Sequence, residues 1–210
     1  MKNTNNVSCE TLSQVLIHKG FFEASPPSLS FSKDMLAYWD EFSRWNNVHN
    51  LSTIRDIDEA IDLHFVDSLY PTLFPDAFSN AKNILDLGTG GGFPGIPLSL
   101  YYRNINFHLL DKSRKKTSFL AYASSKLNFN NVFPIFTDFF NNEAVFDVIL
   151  SRAVRIDDKI FSKIRTSISK NGWLIVFRTK DDLPSINIKP SHTVDYTIRN
   201  KNRSILFYQF

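Results

Sequence analysis

Cysteine is nearly absent from this chain: Cys9 is the single one in 210 residues. That excludes an internal disulfide and any multi-cysteine zinc site, and it agrees with a reducing cytoplasm. No His, Cys or carboxylate spacing suggests a metal site. No apolar run approaches the roughly 20 residues that a membrane span needs. The opening MKNTNNVSCETLSQ lacks the apolar core of a secretion signal. Repeats and low-complexity tracts are also missing, and the length excludes long arrays and large multidomain assemblies. A strong charge of one sign is lacking too, since 24 Lys plus Arg against 21 Asp plus Glu leave +3. Such a balance permits a polyanionic partner without requiring one, because affinity for nucleic acid depends on where the cations cluster. What is present is apolar: 43% hydrophobic and 14% aromatic residues, with 21% charged, can bury a sizeable core. A soluble cytoplasmic chain, folding alone as one compact unit without membrane contact, is expected.

The first third reads as helical. Leu12, Val15, Leu16 and Lys19 recur at helical spacing until Gly20, which predicts a helix over 10–19. SPPSLS at 25–30 is a break, and Ser32 can cap a second helix with Met35, Trp39, Phe42 and Trp45 on one face. Trp39, Phe42 and Trp45 are expected to form the seam between these helices and the rest. Asp56 and Glu59 have the spacing of a capping box for a third helix running through Ile61, Phe65 and Leu69 to Pro71. After residue 82 the period changes. NILDLG (83–88), NFHLLD (106–111), NVFPIF (131–136), FDVILS (146–151) and GWLIVF (172–177) are short apolar runs of the kind found in strands buried on both faces. Helical stretches at 113–127 and 156–169 separate them, so a parallel sheet with right-handed crossovers follows. VDYTIR and SILFYQF around RNKNR predict an antiparallel hairpin at one sheet edge.

The most informative stretch is ILDLGTGGGFPGIP, residues 84–97. A strand ends in Asp86 and runs into Gly88, Gly90, Gly91 and Gly92 before a helix starts near Gly95. Bare main chain is thereby placed at the carboxyl end of a first strand, where a ligand can approach. A Walker-type phosphate loop would need Lys and Ser or Thr after its last glycine, but Ile96 and Pro97 follow Gly95. A dinucleotide fingerprint starting at Gly88 would need glycine at position 93, where Phe93 stands. There remains Asp86, Gly88, Gly90 and Gly92 in alternation, with an acid, Asp111, ending the next strand. The pattern is similar to the cofactor loop of Rossmann-like methyltransferases that use S-adenosylmethionine, in which the acid takes the ribose hydroxyls. An incidental glycine-rich turn is the plain alternative.

With those residues placed, the chain resembles the bacterial small-subunit (16S) ribosomal RNA guanine-N7 methyltransferases, the RsmG or GidB family. The likeness is carried by WNNVHNLSTIRD (45–56), HFVDSL (64–69), GFPGIPLSL (92–100), LLDKSRKKTSFL (109–120) and DVILSRAV (147–154). It implies a class I methyltransferase fold: a seven-stranded, mostly parallel sheet with an antiparallel C-terminal hairpin over residues 76–210, preceded by a helical cap over 1–75. It implies S-adenosylmethionine as cofactor and 16S ribosomal RNA or the small subunit as partner; a monomer is expected. Cofactor positions carry over onto Gly88, Phe93 as an apolar wall, Thr137 and Asp138 near the adenine, and Arg152. Gly90 and Asp111 join them from the loop pattern. Arg203, expected in the hairpin turn, corresponds to an arginine near the target guanine, and Arg152 is the other candidate for gripping guanine, cofactor carboxylate or RNA phosphate. Phe136, Leu63 and Arg178 with Thr179 stand where the family more often has arginine, arginine, and lysine with glycine, which bears on RNA docking.

Guanine N7 carries no proton at neutral pH, so no general base is needed, and the lack of an obvious acid/base dyad fits. Lys112, Arg114, Lys115 and Lys116 form the densest basic cluster, either a solvated face or a phosphate site. His64 and Asp67 are expected to serve packing. Two other functions stay open: a methyltransferase of the same fold acting on a small molecule or protein, and a non-enzymatic RNA-binding assembly protein with an idle core.

Overall fold

The computed structural model describes residues 7–22, 27–179 and 188–210. The first six residues and the first two of SPPSLS lie outside them. Helix α1 (Cys9–His18) is capped by Ser8, whose hydroxyl accepts from Thr11 N at 3.1 Å. Helix α2 (Pro27–His49) begins five residues ahead of the expected cap. Ser32 is instead buried inside it, and Pro27 takes the first turn, where a missing N–H does no harm. Asp56 caps α3 (Ile57–Ala60) as its spacing predicts, accepting from Asp58 N and Glu59 N. The chain then widens into a π-helical turn (Ile61–Val66) and tightens through α4 (Asp67–Leu69) and a 3₁₀ turn (Tyr70–Leu73), where a regular helix was expected.

The sheet follows: β1 (Asn83–Leu87), α5 (Gly95–Tyr101), β2 (Asn106–Asp111), α6 (Arg114–Lys126), β3 (Val132–Phe136), β4 (Phe146–Arg152), α7 (Asp158–Ser167), β5 (Ile168–Thr179), β6 (His192–Ile198) and β7 (Lys201–Gln209). Its order is β3-β2-β1-β4-β5-β7-β6, parallel except where β7 joins β5 and β6. The order reverses between β1 and β4, which makes their carboxyl ends the switch point at which such sheets bind ligands. Period-two alternation divides the side chains cleanly. Ile84, Leu109, Leu150 and Ile175 enter the core shared with the N-terminal helices and α6, while Leu85, Leu110, Ile149 and Leu174 enter the one under α7.

Three expectations change. β3 is an edge strand, with Phe133 and Phe136 exposed, not a strand covered on both faces. Asp157 caps α7 and Ile168 already belongs to β5, so the predicted helix over 156–169 is shorter. Arg199 and Asn200, at φ +47° and +63°, make a two-residue hairpin turn, and Arg203 consequently lies inside β7 instead of in the turn. Among the described residues no helix is long and apolar enough to cross a membrane.

Trp39 and Phe42 are buried as the seam requires, and Trp45 packs beside Phe119 with ring centroids 5.5 Å apart. The seam reaches the glycine loop directly: Tyr38, fully buried, donates its hydroxyl to Gly91 O at 2.7 Å. Replacing Tyr38→Phe should therefore lower stability by about 1–3 kcal/mol in urea unfolding, the expected penalty for a buried acceptor that loses its donor. Stability equal to wild type would mean that ring packing alone holds α2 on the loop.

Candidate active site

Asp86, buried near the end of β1, ties the two ends of the glycine loop. Its Oδ2 accepts from Thr89 Oγ1 at 2.7 Å and from Gly95 N at 2.9 Å. Burial pushes this carboxyl up to about 6 even against those donors. Across the loop, Gly88 N and Thr89 N donate to Leu110 O at 2.9 and 3.0 Å. Asp111 at the end of β2 accepts from Gly90 N at 3.0 Å and from Ser113 N at 2.8 Å. The glycines are required by shape. Gly88 sits at φ +71°, and a Cβ there would come within 2.6 Å of Val154 Cγ2. Gly90, at φ +61°, has nothing closer than 3.9 Å, so a side chain at that position would extend into open space beside Lys116.

Over this loop opens a cleft of about 320 Å³, within the size range of small-ligand sites. Gly88, Asp111, Thr137 and Asp138 line it; Gly90 does not, and its N–H donates to the lining carboxylate of Asp111. Its apolar walls, Phe139, Phe140, Val154 and Ile160, were not singled out by sequence, although Phe139 and Phe140 directly follow the Thr137–Asp138 pair. A cleft with apolar walls, bare main chain and carboxylates at its rim suits a nucleoside, whose flat base and hydroxyls match the two kinds of surface. The residues present therefore fit S-adenosylmethionine. A larger depression of about 760 Å³ lies at the amino ends of β4 and β5, away from the loop. Of its two carboxylates, Asp76 and Asp147, the second already accepts from Lys82 N, Asn83 N and Ser169 Oγ.

Besides Gly90, two predicted contacts sit elsewhere. Phe93 does not line the cleft: it is 4% exposed and stacks on His64 with centroids 4.2 Å apart, behind the loop. Arg152 does not line it either. Its Nη1 donates to Leu63 O at 3.2 Å in the π-helical turn and to Asp67 Oδ2 at 3.1 Å. Arg203 Nη1 meets the other oxygen of the same carboxylate at 3.0 Å, and Tyr196 donates to it at 2.7 Å. Sequence brings Arg152 and Arg203 together only as two candidates; the structure joins them on Asp67, which is 0% exposed. Both arginine side chains stay partly open, 18% and 20% exposed. Asp67, read from sequence as structural, thus sets the position of both cations. Removing its charge by Asp67→Asn should destabilise the protein by about 3–5 kcal/mol in urea unfolding, because two partly buried guanidinium groups lose their counter-ion. A loss under about 1 kcal/mol would show that the arginines are solvated independently of Asp67.

His64 is buried, and desolvation, helped by the Arg152 cation, holds its imidazole down at about 3. It is a neutral packing residue in contact with Phe93 and, at 3.4 Å, with Ser52 Oγ. The unfolded chain binds a proton there from about pH 6.5 downwards, so this group removes stability as pH falls from 6.5 towards 3. Asp86 acts oppositely between about pH 4 and 6, because its folded carboxyl keeps its proton longer than the unfolded one. The difference between His64→Gln and wild type isolates the histidine: the variant should lose less stability on acidification from pH 7 to 4 in urea melts. Parallel pH curves would overturn the neutral-imidazole assignment.

Residues 32–203 match the family model described as rRNA small subunit methyltransferase G. The ribosomal RNA small subunit methyltransferase G of Francisella tularensis subsp. novicida is 32% identical over 146 residues, covering 70% of this chain and 69% of that protein. The protein of the same name from Hydrogenovibrio crunogenus is 36% identical over 129 residues, 60% of this chain and 58% of that one. Solved structures share the fold: TrmN from Thermus thermophilus, with a TM-score of 0.54 at 12% identity, covering 71% of this chain and 53% of that one; and MtNAS in complex with MTA and tNA, 0.57 at 14%, covering 96% and 75%. The family match spans the glycine loop, Asp111, the Thr137–Asp138 pair and both arginines of the Asp67 cluster, and the chain belongs to the rRNA small subunit methyltransferase G family.

Proposed function

We propose that this chain transfers a methyl group from S-adenosylmethionine to N7 of one guanine in small-subunit ribosomal RNA, acting as a cytoplasmic monomer. The observation that carries the reading is the cleft over Gly88, with Asp111 on its rim, in a chain of this family. S-adenosylmethionine, when bound, supplies a methyl group on a positively charged sulfur, which the N7 lone pair takes in line as the carbon–sulfur bond breaks. The chain needs no base for this, since N7 has no proton to lose. Its task is to position, and positioning of this kind contributes roughly 7–11 kcal/mol of barrier reduction.

The residue roles follow from chemistry. Gly88 lets the main chain approach the cofactor, Asp111 takes its ribose hydroxyls, and Thr137 and Asp138 border the adenine between the Phe140 and Ile160 walls. Phe93 acts indirectly, by seating His64 and α2 behind the loop. Arg152 and Arg203 face the RNA: guanidinium groups match guanine O6 and phosphate oxygens, and Asp67 keeps them side by side. We take residues 1–75 as a cap that steadies the loop and 76–210 as the methyl-transferring unit.

Comparing small-subunit ribosomal RNA from cells with and without this protein tests the activity: one N7-methylguanine should vanish in its absence, and an unchanged modification map would refute it. Gly90→Leu tests the site. A side chain on this φ of +61°, next to Lys116 and to the Asp111 carboxylate on the cleft's rim, disturbs the loop there, so cofactor affinity by calorimetry should fall at least tenfold while urea unfolding still shows a folded protein. Unchanged affinity would remove the loop from the cofactor site.

A further inference from the structure

Phe136, the last residue of β3, is 55% exposed, and Phe140, four residues on, is 40% exposed. Thr137 and Asp138, which line the cofactor cleft together with Phe140, lie between them. Each ring carries a cation: Arg114 Cζ stands 6.0 Å from the Phe136 centroid and Lys159 Nζ 4.7 Å from that of Phe140. Phe136 and Arg114 are also two walls of a second, shallower depression of about 390 Å³ between β3 and α6, floored by Pro134 and edged by Thr117 and Ser118. One chain step, from Phe136 to Thr137, separates this depression from the cofactor cleft.

The charges point to an anionic occupant. Helix α6 opens with Arg114, Lys115 and Lys116 and has no acid in its first turn, the reverse of what a helix dipole favours. Two of these cations are engaged within the chain, Lys115 on His49 O and Lys116 near Asp111. Arg114 has no ion pair with another described residue, nor have Lys112 and Lys159. An apolar protein partner would be poorly served by rings that carry cations, whereas unpaired RNA offers both matching parts, flat bases for the rings and phosphates for the cations.

We propose that Phe136, with Arg114 over its ring, is a stacking step for an unpaired base of the substrate RNA, seated in the depression outside the cofactor cleft, with Arg114 taking the adjoining phosphate. This rests on the RNA-methyltransferase reading above and adds a docking point to it.

The test uses the full chain, unmodified small-subunit ribosomal RNA and saturating S-adenosylmethionine. Phe136→Leu keeps an apolar side chain and removes the flat ring, so KM for RNA should rise about tenfold, the loss of one base–aromatic stack, while kcat and calorimetric cofactor affinity stay within about twofold. Phe136→Trp should restore KM. Arg114→Gln should lower the slope of log KM against log salt by about one. A Phe136→Leu enzyme with wild-type KM, or a Phe136→Trp enzyme as impaired as Phe136→Leu, overturns the stacking step while leaving the methyltransferase reading intact. Absence of methyl transfer by the wild-type protein itself would instead overturn the reading and the stacking step together.

Discussion

A carboxylate with no access to water, Asp67, holds two guanidinium groups and a phenol, and the carboxyl end of the sheet is arranged around it. Such a group is tolerated in a protein interior only when its charge is matched and its lone pairs are filled. Here the partners come from β4, β6 and β7, while Asp67 itself belongs to the short α4 helix that follows the π-helical turn. The interaction therefore locks the N-terminal helices to the switch point of the sheet. It also explains the wide turn before it: Arg152 reaches the Leu63 carbonyl as well as Asp67, and π-helical turns concentrate where a helix serves such a local demand.

The glycine loop is held on three sides by the same logic. Asp86 grips it from within, the end of β2 through Leu110 O and Asp111, and α2 through Tyr38. The backbone with positive φ at Gly88, Gly90 and Gly92 is held in shape by these contacts within the chain. Preorganisation of this sort is what a reaction without acid–base chemistry requires, since orientation is the main contribution the protein makes. The tolerance of Asp86 for burial beside Arg152, and the neutrality of His64 next to that same cation, show how much of the local electrostatics is spent on holding shape.

Net charge says little about where RNA meets this chain, because a surplus of three cations is distributed among many ion pairs. Lys115, Lys116, Lys126 and Arg103 are each engaged with partners of their own chain. The cations left facing outward near the cleft are few, and two of them lie against exposed phenylalanine rings. Like the paired arginines at Asp67, they are local arrangements that the bulk charge would not reveal.

Much of the molecule was legible in order along the chain. Local chemistry determines the strands at 83–88, 106–111 and 146–151, the cap at Asp56, the hairpin and the glycine loop, because glycine's freedom, a capping carboxylate and period-two burial act within a few residues. The cleft-lining residues Gly88, Asp111, Thr137 and Asp138 followed, each lying at a strand end that the sequence already marked. Tertiary structure alone decided the rest. Phe93 turned away from the cleft because His64 and α2 offered its ring a dry surface. β3 became an edge because strand order, not its apolar run, determines coverage. Arg152 and Arg203 met on Asp67 across separations of 85 and 136 residues, a convergence of charges that no local pattern encodes and that only the closed sheet could bring about.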